Sequence, residues 1–360
     1  MNKAAAGSMR EECDLAASLC GETLRVPARQ SGFGLVEIMV ASAIGLFMLL
    51  GIVTLVIWVS QARVELDKTS EQIENGRYAI QLLRDDIHMA GFYGAPRVEA
   101  GVYTMPLPCA ESLSDLQFGY ISSQNQLPLP VYGYVAGSTL PGTCLSSAVT
   151  DSEALIVRRV GTTPVLAASL SGAGPHVQIS SCSSDTEILR VASTSSAFTT
   201  APLLRQKDCT TTSTSVWPYT SHTYFLSQSS GVPTLNVAEL VSGSIQVVPL
   251  VEGIEDMHIT YGLDFDDDGA PDCFAADPGE STAPSGCPTS WSAVALDNWA
   301  NVTAVRLHLL ARGIATTPGW VDTRTYDLGR ATRSGPFNDA YKRQAYSTVV
   351  ALPNVGGVRE

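Results

Sequence analysis

Charge is scarce in this chain of 360 residues: Asp, Glu, Lys and Arg together make up 16%, and acids outnumber bases 35 to 22. No basic cluster interrupts the formal net charge of -13, which excludes nucleic acid as a partner because phosphate binding requires clustered Lys and Arg. The histidines, His88, His176, His222, His258 and His308, are scattered, and none forms an H-x-x-x-H pair. There is no C-x-x-C, G-x-S-x-G elbow, phosphate-binding loop or dinucleotide fingerprint. Without such a constellation no enzymatic activity is expected. Aromatic residues are few, at 7%, whereas Ser, Thr, Gly and Pro crowd the region from about 105 to 235. That mixture suits a loop-rich β domain rather than a helical bundle.

Long apolar runs are missing everywhere except between Phe33 and Ser60, where Glu37 is the only charged residue. A helix rising about 1.5 Å per residue over this run exceeds the roughly 30 Å bilayer core. Arg25 and Arg29 precede the run, while Arg63, Glu65, Asp67 and Lys68 nearly cancel beyond it. The positive-inside rule therefore places the N terminus in the cytoplasm and exports everything after residue 60. Cysteine usage agrees with export. Cys13 and Cys20 lie before the run, and Cys109, Cys144, Cys182, Cys209, Cys273 and Cys287 lie after it, an even set suited to disulfides. Pairing neighbours, 109 with 144, 182 with 209 and 273 with 287, is the simplest of several connectivities. Thiolate metal binding is the alternative.

The junction before the apolar run reads Gln30, Ser31, Gly32, Phe33, Gly34, Leu35, Val36, Glu37, Ile38. It resembles the class III signal of type IV prepilins. The resemblance implies a leader at 1–32 that a prepilin peptidase removes between Gly32 and Phe33, with N-methylation of Phe33. Glu37 then becomes the fifth mature residue. A carboxylate inside a membrane-spanning helix costs several kcal/mol unless it is paired or neutralised. Resemblance to pilins supplies a partner, the free amine of Phe33 on an adjacent subunit; the alternative is a glutamate that snorkels to the headgroups. The leader is long for its class, and initiation at Met9 would shorten it.

After residue 60, Leu66, Ile73, Ile80 and Ile87 recur every seven residues with Leu83 beside them, which marks one apolar helical stripe. Gly91 is positioned to end this helix. The reading is therefore a helix from about 33 to 90, with 33–60 as transmembrane and assembly segment and 61–91 as its amphipathic continuation. Short alternating or apolar runs follow at Glu153–Val160, Glu187–Ala192, Thr223–Leu226, Ser244–Val251, Asp256–Leu263, Val302–Ala311 and Tyr346–Leu352. A helix first and strands later is the α+β pattern, so 92–360 is expected to be an exported β-rich domain. In full, the expected fold is type IV pilin-like: a long N-terminal helix packed on an antiparallel β-sheet with large loop-rich insertions.

Segments at Met89–Gly94, Val251–Gly269, Val305–Arg312 and Tyr341–Asn354 resemble the PilW family of minor pilins. This implies a minor pilin that initiates or caps a type IV pilus and serves fibre biogenesis, twitching motility and adhesion. Its partners would be other minor pilins, the major pilin, the prepilin peptidase and an inner-membrane assembly platform. It would stand in the inner membrane with its C-terminal domain periplasmic before entering the surface pilus. A minor pseudopilin of type II secretion and a membrane-anchored exported binding or hydrolytic domain are the alternatives. At the end of the second PilW-like stretch and just beyond it, Asp264, Asp266, Asp268, Gly269 and Asp272 form D-x-D-x-D-G-x-x-D. The spacing matches calcium-loop positions 1, 3, 5, 6 and 9, with the Ala270 carbonyl at position 7. Calcium is the expected cofactor; a solvated turn at Asp268 and Gly269 is the rival reading.

Overall fold

The computed structural model describes residues 32–94, 102–121, 124–140 and 143–355. The leader readings, including Cys13 and Cys20, lie outside the described residues. The chain divides between Ser60 and Gln61 into two compact units. Helix α1 (Leu35–His88) is followed by β1 (Val102–Thr104), β2 (Gly119–Ile121), β3 (Gln124–Pro128), β4 (Val131–Tyr134), β5 (Ala154–Val160), β6 (Ser171–Ile179) and β7 (Leu189–Thr194). Next come α2 (Ser195–Thr199), β8 (Val216–Ser229), β9 (Val232–Val241), β10 (Ser244–Glu252), β11 (Ile254–Leu263) and β12 (Cys273–Ala275). The described chain closes with α3 (Ala295–Ala300), β13 (Val302–Arg312) and β14 (Arg343–Ala351).

One sheet was expected, and the described residues form three. The largest runs β10-β9-β8-β5-β4, with β6 joining β8 and β7 joining β6; a second runs β12-β11-β13-β14. Both are antiparallel. A small sheet, β1-β3-β2, departs from the expectation because β1 and β3 pair in parallel. Two hairpins build the edge of the large sheet. Ser230 and Gly231 (φ 52° and 82°) join β8 to β9, and Ser242 and Gly243 (φ 51° and 84°) join β9 to β10. Positive φ at both central residues is what a two-residue type I′ turn demands.

The second unit packs the end of α1 between the two larger sheets. Ala79, Leu83 and Ile87 share a core with Leu155, Val157, Leu226 and Leu235 of the large sheet and with Met257, Ile259, Leu307 and Leu309 of the other. Each fully buried Leu or Ile contributes about 1.5–3 kcal/mol of apolar burial. The buried stripe differs from the expected one. It follows Gln72, Gly76, Ala79, Leu83 and Asp86–Ile87, while Leu66 is exposed and Ile73 and Ile80 are only partly covered. The cause is close packing: a Cβ on Gly76 would lie 2.2 Å from the Tyr346 ring, so the helix approaches β14 along its smallest residue. Polar groups fix the register. Gln72 Nε2 donates to the Ala311 carbonyl at 3.1 Å, and Tyr346 Oη donates to the Ile73 carbonyl at 3.3 Å. Gly91, at φ 74°, turns the chain out of the helix and donates its N–H to Arg158 O at 2.9 Å.

Three disulfides, Cys109–Cys144, Cys182–Cys209 and Cys273–Cys287, tie the loop-rich parts. The pairing is the neighbour pairing.

Candidate functional site

The described part of the N-terminal unit, residues 32–60, is an apolar surface whose one charged side chain is Glu37. Every residue from 32 to 64 is exposed. An 18-residue window of α1 reaches a mean hydropathy of 2.6 with none of it buried, so the helix is long and apolar enough to cross a membrane. The polar side chains it carries turn back on the helix: Ser42 Oγ donates to Met39 O at 3.0 Å and Thr54 Oγ1 to Gly51 O at 2.9 Å. Such back-bonding satisfies these two hydroxyls within the helix itself. Gly32, Phe33 and Gly34 precede the first helical turn, and Phe33 is 78% exposed. Glu37 follows in that turn, its N–H bonded to Gly34 O at 2.9 Å. Carboxylate and N-terminal segment therefore share the same end of one helix.

The acidic loop leaves β11 at Asp264, which is buried, and its carboxylates capture backbone N–H groups. Asp264 accepts from Asp267 at 2.7 Å through Oδ1 and from Gly269 at 2.8 Å through Oδ2. Asp268 Oδ1 accepts from Ala270 at 2.7 Å, and Asp272 Oδ2 from Phe265 at 2.7 Å. One carboxylate oxygen from each of Asp264, Asp266 and Asp268 falls within 4.8 Å of the others. Asp272, predicted beside them, is not in that group; its Oδ2 accepts the Phe265 N–H instead. Crowding shows in the Asp266 carboxyl. One N–H, from Asp268, favours its charged form, but desolvation and the charges of Asp268, Asp272 and Asp264 win and raise its pKa. Cys273 and Cys287 close the segment that follows.

Folding also assembles polar clusters from distant segments that no spacing announces. The Asp86 carboxylate, near the end of α1, accepts Arg159 Nε at 2.7 Å, Tyr224 Oη at 2.8 Å and His222 Nδ1 at 2.8 Å. Burial opposes its charge, but His222 and Arg159 outweigh burial and hold the carboxyl below its ordinary value. Buried Glu153 accepts His258 Nδ1 at 2.7 Å and the Ile259 N–H at 2.9 Å, with Arg330 Nη2 at 3.2 Å. His258 is thus enclosed rather than on a polar face, and it pairs across β11 and β13 with His308. Arg343 grips three acids, Glu255, Asp322 and Asp339. The only advance signal was a cation or imidazole inside an apolar strand, as at Arg158, Arg159, His258 and Arg343.

Comparison with known proteins bears on both ends of the chain. Residues 27–53 match the family model of the prokaryotic N-terminal methylation motif. Residues 223–354 match that of type IV pilus-assembly protein W, a span running from β8 past β14 and containing the acidic loop and the Arg343 cluster. No curated protein matches. Among solved structures, a type IV-like pilin from Thermus thermophilus aligns over 79% of this chain and 97% of its own, at 10% identity and a TM-score of 0.29. The chain thus carries two matches, to the prokaryotic N-terminal methylation motif at residues 27–53 and to type IV pilus-assembly protein W at residues 223–354.

Proposed function

We propose that this chain is a minor pilin that initiates or caps a type IV pilus. The observation that carries the reading is the wholly exposed apolar stretch of α1, headed by the Gly32–Phe33 junction within the methylation motif. So large an apolar surface requires cover, first from lipid and then from neighbouring helices. In this reading the prepilin peptidase cuts after Gly32 and Phe33 is N-methylated. The helix holds the protein in the inner membrane with the N terminus cytoplasmic and the β-rich unit periplasmic. On assembly with other minor pilins and the major pilin, through the inner-membrane platform, Glu37 is neutralised by the amine of a neighbour's Phe33. A large, loop-rich domain is easier to place once at a fibre tip than repeated along its length. Mass spectrometry of the mature N terminus tests processing: methylated Phe33 is expected, and a chain starting elsewhere refutes it. Glu37→Ala is expected to be cleaved and membrane-inserted yet absent from sheared pili. Normal pilus numbers on deletion of the protein would reject the initiation role.

For the acidic loop we propose calcium, held by Asp264, Asp266 and Asp268 with further oxygens from the chain or water. The support is the convergence of three carboxylate oxygens and the raised Asp266 pKa, which a cation would reverse. Calcium titration of the full chain in detergent, followed by calorimetry and melting temperature, tests it. No heat and no shift reject it.

A further inference from the structure

Between the end of α1 and the large sheet lies an open cavity of about 540 Å³. Its floor is Asp86, whose carboxylate already accepts Arg159, His222 and Tyr224. Arg159 is further engaged with the Val160 carbonyl at 3.1 Å. The floor is therefore satisfied and offers little to an anion. The rim is different. Among the described residues, the cation paired with Glu239 is His222 Nε2, at 3.8 Å and too long for a hydrogen bond, and that paired with Asp85 is Arg84, at 4.0 Å and itself exposed. With Arg159 and His222 both counted as cations, the lining acids Asp85, Asp86 and Glu239 still leave an excess of negative charge; with His222 neutral the excess grows. The walls between floor and rim are apolar, from Leu82, Val237 and Leu250, and the Tyr78 ring stands exposed at the mouth.

An apolar shaft with carboxylates at its lip suits a cation on an aliphatic stem, the chemistry of lysine and arginine. Tyr78, Gln81 and Asp85, spaced three and four apart, form the helical side of the opening. They lie on the exposed face of the helix whose N-terminal part is read above as the assembly segment. We propose that this cavity receives a lysine or arginine side chain of a neighbouring pilin subunit, an inference that rests on the pilin reading.

The test replaces the rim charges in the full-length protein in its native cells. D85K/E239K is expected to be processed and to reach the membrane at wild-type levels, yet to appear in sheared fibres at a level lower by about tenfold or more, since like charges across an interface are strongly disfavoured. The neutral pair D85N/E239Q keeps the shape, and a smaller loss is expected; it decides the matter if the double lysine variant fails to accumulate. A photo-crosslinking residue at Gln81, followed by mass spectrometry of the fibre, is expected to capture a pilin peptide containing Lys or Arg. Changing that residue to Glu is expected to restore D85K/E239K. Wild-type incorporation of both rim variants, or a captured peptide without a basic residue, overturns the proposal alone. Absence of the wild-type chain from fibres overturns the pilin reading and the proposal together.

Discussion

Replacing Arg343 with Met tests whether buried charge holds the PilW-like part of the fold together. The guanidinium is 1% exposed, and Asp322 beside it is fully buried. It forks onto Asp339 at 2.6 and 2.7 Å and onto Glu255 at 2.5 and 3.0 Å, while Nη1 reaches Asp322 at 3.1 Å. The Phe337 ring closes over it, with the guanidinium carbon 3.8 Å from the ring centroid. R343M fills the volume but strands Asp322 without its cation and leaves Glu255 with Arg312 alone, at 3.3 Å. Breaking a buried pair from one side costs about 3–5 kcal/mol. At roughly 2–4 °C per kcal/mol for a unit of this class, the melting temperature should fall by about 10 °C. R343K should recover only part of the loss, because an ammonium cannot make two forks at once. R343M/D322N should be less damaged than R343M, since the stranded charge is gone. Acid adds a second readout. Arg343 holds the Asp339 carboxyl below its ordinary value against the opposing effect of burial. Such a depressed group contributes stability above its unfolded pKa and loses it as pH falls through the folded value. The gap between wild type and R343M should therefore narrow as pH falls through the carboxylate range. Thermal unfolding of the full chain in detergent, followed by near-ultraviolet circular dichroism, measures all of this. A loss under about 1 kcal/mol, or an R343K indistinguishable from wild type, would refute the reasoning.

Three further outcomes are expected. Gly133→Ala should destabilise by about 1–3 kcal/mol, because its Cβ would sit 1.7 Å from the Tyr261 hydroxyl, and Tyr261→Phe should relieve part of that cost; equal melting temperatures for the two Gly133 variants would contradict it. Removing Cys273–Cys287 as a double serine variant should cost about 3 kcal/mol from the denatured-state entropy of its short loop, measured by urea unfolding. The Lys68 ammonium and the Thr317 hydroxyl, with help from Lys342, hold the Glu65 carboxyl down to about 2. Its contribution is present above the unfolded value near 4.5 and disappears as pH falls towards 2, so Glu65→Gln should lower stability at neutral pH and match wild type in strong acid.

The N-terminal signature was legible because it is local. Phe33 to Ser60 declares itself by hydropathy alone, and Gly32, Phe33 and Glu37 lie within a few residues of one another. Strands such as β5, β11 and β13 were legible for a related reason, since apolar residues alternate or run together wherever a sheet face is buried. β9 was not. Side chains on both of its faces are buried, so alternation is lost, and the Ser-Gly turns that frame it were the overlooked cue. The helical stripe was misjudged where size mattered more than hydropathy, with Gly76 admitting Tyr346 and Leu66 left outside.

Sequence by itself determined the long apolar helix, the N-terminal methylation motif and the spacing of the acidic loop, all of them set by residues near in the chain, while it left the cysteine pairing as the simplest of several. Tertiary structure alone decided that Asp272 caps Phe265 instead of joining the other aspartates. It alone brought His222 to Asp86 across 136 positions and Arg343 to Glu255 across 88. Those encounters depend on which strands pair and in what register. That is fixed by the simultaneous burial of many apolar side chains, a condition no local stretch expresses.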